Sequence, residues 1–214
     1  MSDAARAGRL SAVAEAKQAL ILDAALRVFS RDGLREASIR SIAKEAGYAP
    51  GAIYAYFPSK EHLYAAALRE SLERLRAATE SAARAASDDT GGAFDPGGAF
   101  VSGGLAFFDF YDANPRDLDM GFYLFAGGIA PRGLSDEEVN SELNAALLAA
   151  LEPIRRAAEQ LSDATEATRL TADVFAHASG LLLLRHTHRL KLFRLDAREL
   201  MRRYLDEIIR ARRP

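Results

Sequence analysis

Apolar residues recur every three to four positions along most of the chain, as amphipathic helices require, and no stretch sustains the two-residue alternation of a strand. Helix starts are marked by capping residues. Ser38 precedes Ile39, Ser59 follows Pro58, and Asn114 stands before Pro115 as a capping side chain. Ser135 with Glu138, Asp163 with Glu166 and Asp196 with Glu199 have capping-box spacing. The pattern predicts an all-α chain of about nine helices near 12–31, 38–45, 49–56, 59–86, 98–113, 115–127, 136–161, 164–190 and 197–212. Gly33 and Gly47 punctuate the first two, and Pro153 predicts a kink or break in the seventh. The expected organisation is a flexible arm over 1–13, a three-helix head over 14–60, and a helical bundle body over 61–214. Residues 87–98 read as a glycine-rich linker; they lack the strand and the Lys-Ser/Thr of a phosphate loop.

Composition narrows the classes. The 214 residues contain no cysteine, which removes disulfides, zinc-thiolate sites and thiol catalysis. No apolar run reaches membrane-spanning length and no signal peptide is visible, so a cytoplasmic location is expected. Net charge is -2, but it is uneven: residues 1–64 carry nine Lys/Arg against seven Asp/Glu, and the remainder carries the deficit. A mildly basic head is where a polyanion contact belongs.

Residues 38–64 read SIRSIAKEAGYAPGAIYAYFPSKEHLY. Two short helices meet at Ala46-Gly47-Tyr48, with a glycine where a helix-turn-helix must turn sharply. Ile39, Ile42 and Ala43 supply the packing face of the first, and Pro50, Ile53 and Phe57 the inward stripe of the second. At about 100° per residue, Gly51, Ala52 and Ala55 then point outward with Tyr54 and Tyr56 on the flanks. So small a face can enter a DNA major groove closely, while the tyrosine hydroxyls, Arg40, Lys60 and the start of the Ser59 helix reach phosphates. Helix-turn-helix shapes also occur in helical proteins with no DNA role.

Over residues 14–64 the chain resembles the TetR family of bacterial transcriptional regulators. The likeness rests on Ile21, Ala24, Ala25, Phe29 and Gly33, on Ser38-Ile39-Arg40 with Ile42, Ala43, Ala46 and Gly47, and on Gly51-Ala52-Ile53-Tyr54 with Tyr56-Phe57, Ser59-Lys60 and Leu63. It implies a dimeric repressor released from double-stranded operator DNA by a small-molecule effector. The DNA contacts it implies fall on Ser38, Arg40, Tyr48, Ala49, Pro50, Gly51, Ala52, Tyr54, Tyr56 and Lys60. Members of the family often carry Ser, Thr, Lys or Arg early in the recognition helix; here Ala49-Pro50-Gly51-Ala52 leaves few hydrogen-bonding groups for base edges. Thymine-methyl contacts, Arg40 and DNA shape are expected to supply much of the specificity.

Nine of the 18 aromatics lie between Phe94 and Phe125. Phe100, Gly103, Gly104, Phe107 and Tyr111 share a stripe, with Phe108 beside it, and the two glycines are expected to leave a dent between rings. With Phe122, Tyr123 and Phe125 these make a candidate wall for an apolar effector, and His177 a candidate polar contact. The same residues also read as ordinary core. His186 and His188, two apart, cannot share a helix face, so no metal and no cofactor are expected. Val174, Leu181 and Leu182 in the eighth helix, with Leu200, Tyr204 and Ile208 in the ninth, make a broad apolar surface suited to a homodimer four-helix bundle, or to a wide internal face in a monomer. The long fourth helix is the candidate lever between effector and head. No motif of hydrolytic, zinc-protease or phosphate-loop chemistry is present, so an enzyme is not expected. The competing reading is an all-helical interaction module, or a DNA-binding protein without an effector.

Overall fold

Gly33 interrupts the first helix. Its φ of 73° and ψ of 163° break an otherwise helical run over α1, Asp3–Glu36. The computed structural model describes residues 3–88, 95–126 and 137–212; the loop expected over 87–98 lies partly outside them, as does Ser135. The described residues are all-α: nine α-helices and one 3-10 turn, Arg189–Leu192. After α1 come α2 (Ile39–Ala46), α3 (Pro50–Tyr54), α4 (Lys60–Asp88), α5 (Pro96–Ala113), α6 (Pro115–Ala126), α7 (Glu137–Glu159), α8 (Ala164–His186) and α9 (Ala197–Arg210).

Several boundaries differ from the sequence reading. Helix α1 begins at Asp3, inside the expected arm, because 3–11 is rich in helix-forming Ala and Arg and carries no Pro or capping stop. Helix α5 begins at Pro96, where Asp95 accepts the Gly97 N–H at 3.0 Å. Asn114 does not cap α6 with its side chain; its amide donates to the Phe110 carbonyl at 2.8 Å and closes α5 instead. Helix α7 runs unbroken through Pro153. The carbonyl that loses its partner there belongs to Ala149, an exposed residue. Asp163 and Asp196 cap α8 and α9 as expected, each accepting two backbone N–H groups.

Packing divides the chain into two units, residues 1–70 with 119–143 and residues 71–118 with 144–214. In the first, α1 packs on α2 and α2 on α3. Its core contains Ile21, Ala24, Ala25, Val28, Ile42, Ile53 and Leu63, all fully buried. The Phe29 and Tyr64 rings meet edge to face at 5.5 Å, and the Tyr64 hydroxyl donates to the Met120 carbonyl. These contacts draw the first turns of α4 into this unit, so the boundary by packing falls after Glu70.

In the second unit α5, α8 and α9 pack pairwise. Phe100, Phe107 and Phe108 are wholly buried and Tyr111 is 4% exposed. Phe107 meets Tyr111 and Phe175 edge to face at 5.1 and 5.8 Å. The expected dent at the two glycines is filled. A methyl on Gly103 would stand 3.1 Å from Ile154 Cγ1, and one on Gly104 2.9 Å from Leu205 Cδ2. The glycines let α5 approach its neighbours closely.

Candidate nucleic-acid interface

The head is built around one turn. Gly47 adopts φ 73° and ψ 26°, the left-handed conformation in which glycine costs least. The Tyr48 N–H reaches back to the Ala43 carbonyl at 2.9 Å, and the Gly47 N–H to the Lys44 carbonyl at 3.3 Å. At the other end of α2, Ser38 Oγ accepts the Ser41 N–H at 3.1 Å while the Ser38 N–H donates to Ser41 Oγ at 3.0 Å. Both ends of α2 are therefore satisfied locally, and Ile42 and Ala43 lie fully buried beneath it.

Helix α3 is five residues long with Pro50 at its start, and no side chain caps it. Ile53 is fully buried and Phe57 is 4% exposed, so these two anchor it. Pro50, assigned to the inward stripe by spacing, is instead exposed; at the first helical turn its ring points off the helix end. Ala49, Gly51 and Ala55 are exposed, Tyr48, Ala52 and Tyr56 half-buried, and Tyr54 is 55% exposed. The angular expectation for the outward face is thus met, with Pro50 added to it.

Exposed Arg40 and Lys44 flank that face on α2. The acidic Glu45 is engaged elsewhere: it accepts from Arg27 Nε at 2.8 Å and from Arg31 at 3.4 Å. The Arg27 guanidinium holds the Glu45 carboxyl below the ordinary carboxylate range. These pairs clamp α1 to α2 and neutralise the carboxylate that would otherwise repel phosphate.

Lys60 and Ser59 are less free than spacing suggests. The Lys60 ammonium donates to the Ala37 carbonyl at 2.9 Å. Ser59 Oγ accepts the His62 N–H at 3.2 Å and lies 2.9 Å from His62 Nδ1. Both residues tie the start of α4 together, and Lys60 anchors it to the α1–α2 corner.

The other candidates divide. Phe100, Phe107, Phe108 and Tyr111 cluster on α5; the side chains of Phe122, Tyr123 and Phe125 lie outside the described residues. The His177 ring is half-buried and stacks on Tyr204 at 3.9 Å and 18°, at the seam of α8 and α9. Val174, Leu181 and Leu182, assigned to a dimer face, are 0, 7 and 0% exposed and serve the protomer's own core. The face that α8 leaves to solvent carries Ala172, Ala176, Gly180 and Leu183, and Leu200, Tyr204 and Ile208 of α9 are half-buried. Spacing could not separate the two sides of α8 because both are apolar. The exposed Leu192, Phe193 and Leu195 between α8 and α9 were not singled out, although the run KLFRL shows them. Among the described residues no metal-binding cluster occurs, and no helix is long and apolar enough to cross a membrane.

These features define an all-helical protein with a helix-turn-helix head. Residues 21–67 match the model for bacterial regulatory proteins of the tetR family. The chain is 45% identical over 65 residues to the HTH-type transcriptional repressor KstR of Mycolicibacterium smegmatis, covering 30% of this chain and 32% of that protein. The matched segment thus spans about a third of that relative's length. Among solved structures, a Rhodococcus protein of unknown function aligns with TM-score 0.71 at 22% identity, over 91% of this chain and 94% of that one. The Bacillus subtilis regulator FadR, solved with stearoyl-CoA, aligns with TM-score 0.62 at 18% identity, over 87% and 95%. The chain belongs to the TetR family of bacterial regulatory proteins.

Proposed function

We propose that the chain is a transcriptional repressor that binds a palindromic DNA operator as a homodimer and is released from it by a small apolar or aromatic effector. The observation that carries the DNA reading is the outward face of α3. Tyr54, Gly51 and Ala55 stand in solvent while Ile53 and Phe57 lock the helix from below. The exposed surface is smooth enough for close approach to base edges, and Arg40, Lys44, Tyr48 and Tyr56 surround it with phosphate-reaching groups. Ser38, Ala49, Pro50 and Ala52 complete the contact set, with Lys60 acting through its anchoring of α4 and any donor it has to spare.

Two such heads must meet successive major grooves roughly 34–36 Å apart, or a multiple of that. A second copy is proposed to pack on the open side of α8 and α9, through Ala176, Gly180, Leu183, Leu200, Tyr204 and Ile208. The small residues of α8 permit close helix approach and the α9 row supplies apolar area. The effector is proposed to enter the aromatic body, where FadR's bound stearoyl-CoA offers a precedent for a TetR-like fold holding an apolar chain. To act, it must favour a state that binds DNA less well.

Selection of bound sites from random duplex DNA by the full-length chain tests this reading. An enriched inverted repeat whose binding is lost with Tyr54→Ala supports it. No enriched sequence, or a clean monomer in sedimentation at micromolar concentration, overturns the corresponding half.

A further inference from the structure

The second unit buries polar groups that its own core does not satisfy. Ser71 of α4 is fully buried, and its Oγ has no hydrogen-bond partner among the described residues. Tyr111 of α5 is 4% exposed, and its ring is held by edge contacts with Phe107 and Phe110 at 5.1 and 5.3 Å. Its hydroxyl has no hydrogen bond among the described residues. Thr79, two turns further along α4, shows what a satisfied hydroxyl looks like in the same helix, donating to the Ala150 carbonyl at 2.8 Å. A buried unpaired hydroxyl is costly and calls for an explanation.

Both groups border one place. Arg74 of α4 pairs with Asp117 at 2.8 Å and lies over the Phe110 ring at 5.8 Å. Asp117 is close enough to Tyr111 to act on its phenol, which burial first and this negative charge second push well above the ordinary range. Ser71 stands one turn before Arg74 and about 60° round α4 from it, on the flank between Arg74 and the buried Leu75. Ser71, Tyr111 and the Arg74–Asp117 pair thus line neighbouring parts of the α4–α5 side of the second unit.

We propose that Ser71 and Tyr111 form the hydrogen-bonding end of the effector site, and that they select a neutral molecule carrying a ketone or hydroxyl oxygen on an apolar skeleton. This inference rests on the proposed effector reading. The choice of a neutral oxygen follows from the charges. Asp117 opposes an anionic head, and Arg74 opposes a cation; their mutual pairing leaves no net charge for either to exploit. The phenol remains protonated at any physiological pH and can only donate or accept as a neutral group. The aromatic edges of Phe107 and Phe110 supply the apolar surround.

The test titrates the full-length protein with four probes that share one skeleton: 2-acetylnaphthalene, naphthalene, 2-naphthoate and 2-naphthylmethylammonium. Binding is followed by protein-detected NMR, in wild type, Ser71→Ala and Tyr111→Phe. The ketone should bind at least tenfold tighter than the other three. Each variant should weaken the ketone about five- to tenfold while leaving naphthalene unchanged, the loss of one net hydrogen bond apiece. Without any probe, both variants should melt at or slightly above the wild-type temperature, since each removes an unpaired buried group. Equal binding of all four probes, insensitive to the variants, overturns the polar anchor and leaves the apolar effector site standing. Tightest binding of the carboxylate or ammonium probe overturns the neutral-ligand assignment. Lower melting temperatures in both variants show that the hydroxyls serve the fold, through buried water, and overturn the inference too. Failure of all four probes to bind wild type overturns the effector reading beneath it.

Discussion

Residues 38–64 and residues 96–118 are of similar length and both are helical, yet they expose their chemistry in opposite ways. In the head, short helices place each residue type at one radial position: Ile42 and Ile53 inside, Gly51 and Tyr54 outside. In the body, α5 is apolar nearly all round, and Phe100, Phe107, Phe108 and Tyr111 are all buried although they occupy two stripes. A short amphipathic helix reveals which side is free. A helix enclosed by others conceals whether its aromatics fill a core or wait for a ligand.

The comparison can be broken most sharply at the two cores. Phe107→Ala removes a wholly buried ring with two aromatic neighbours and should cost about 3–5 kcal/mol, measured by denaturant unfolding. Ile53→Ala removes the anchor of α3 and should cost about 2–5 kcal/mol of the first unit's stability, with DNA binding lost alongside. If the aromatic body holds slack for a ligand, Phe107→Ala will fall short of its range while Ile53→Ala will not. Next comes Gly104→Ala, whose added methyl would lie 2.9 Å from Leu205 Cδ2. It should cost about 1–3 kcal/mol, and Leu205→Val in the same chain should recover part of the loss. No recovery would mean that Leu205 is not what the glycine accommodates.

Legibility follows the same division. Gly47, the Ser38 cap, Ile42, Ile53 and the exposed Tyr54 face could all be placed from spacing, because each obeys a local rule of turn, cap or period. Asp163 and Asp196 were legible for the same reason. Val174, Leu181 and Leu182 were placed on the wrong side of α8, since apolar residues occur on both its sides and only the neighbours α5 and α9 decide which is covered. The glycine dent on α5 was misread because a missing side chain in sequence does not say whose side chain fills the gap. Asn114 was ambiguous between ending one helix and starting the next. Ser71 and Thr79 were readable in principle, as polar residues on the buried stripe of α4 that includes Leu68, Leu72 and Leu75, but only coordinates show that one is satisfied and the other is not.

Smaller effects sharpen the contrast between surface and turn within the head. Gly47→Ala keeps every contact but forces a Cβ into a left-handed backbone, at a cost of about 1–2 kcal/mol in the same unfolding measurement. Tyr54→Ala should change stability by under about 0.5 kcal/mol, being a substitution on an exposed face, yet weaken operator binding about tenfold. Stability loss with unchanged DNA affinity would place Tyr54 among the supports of α3 and remove it from the contact set.

The smallest expected effect lies at the α8–α9 seam. Burial holds the His177 imidazole below its ordinary value, and its ring stacks on Tyr204, whose own phenol feels Asp173 and Arg212. The sign follows from the protonation of the two states. An unfolded histidine titrates near about pH 6.5, so below that value the unfolded chain takes up a proton that the folded chain resists. The contribution is complete above the unfolded value and is lost as pH falls toward the folded one. Melting temperature should therefore decline from about pH 7.5 to about 5.5, and His177→Gln should flatten that decline while the carboxylate-driven loss at lower pH remains. If a second copy covers Tyr204, the dimer dissociation constant measured by sedimentation will rise over the same interval. A melting curve that shifts with a dissociation constant that does not would confine His177 to the protomer and leave the α8–α9 seam outside the dimer contact.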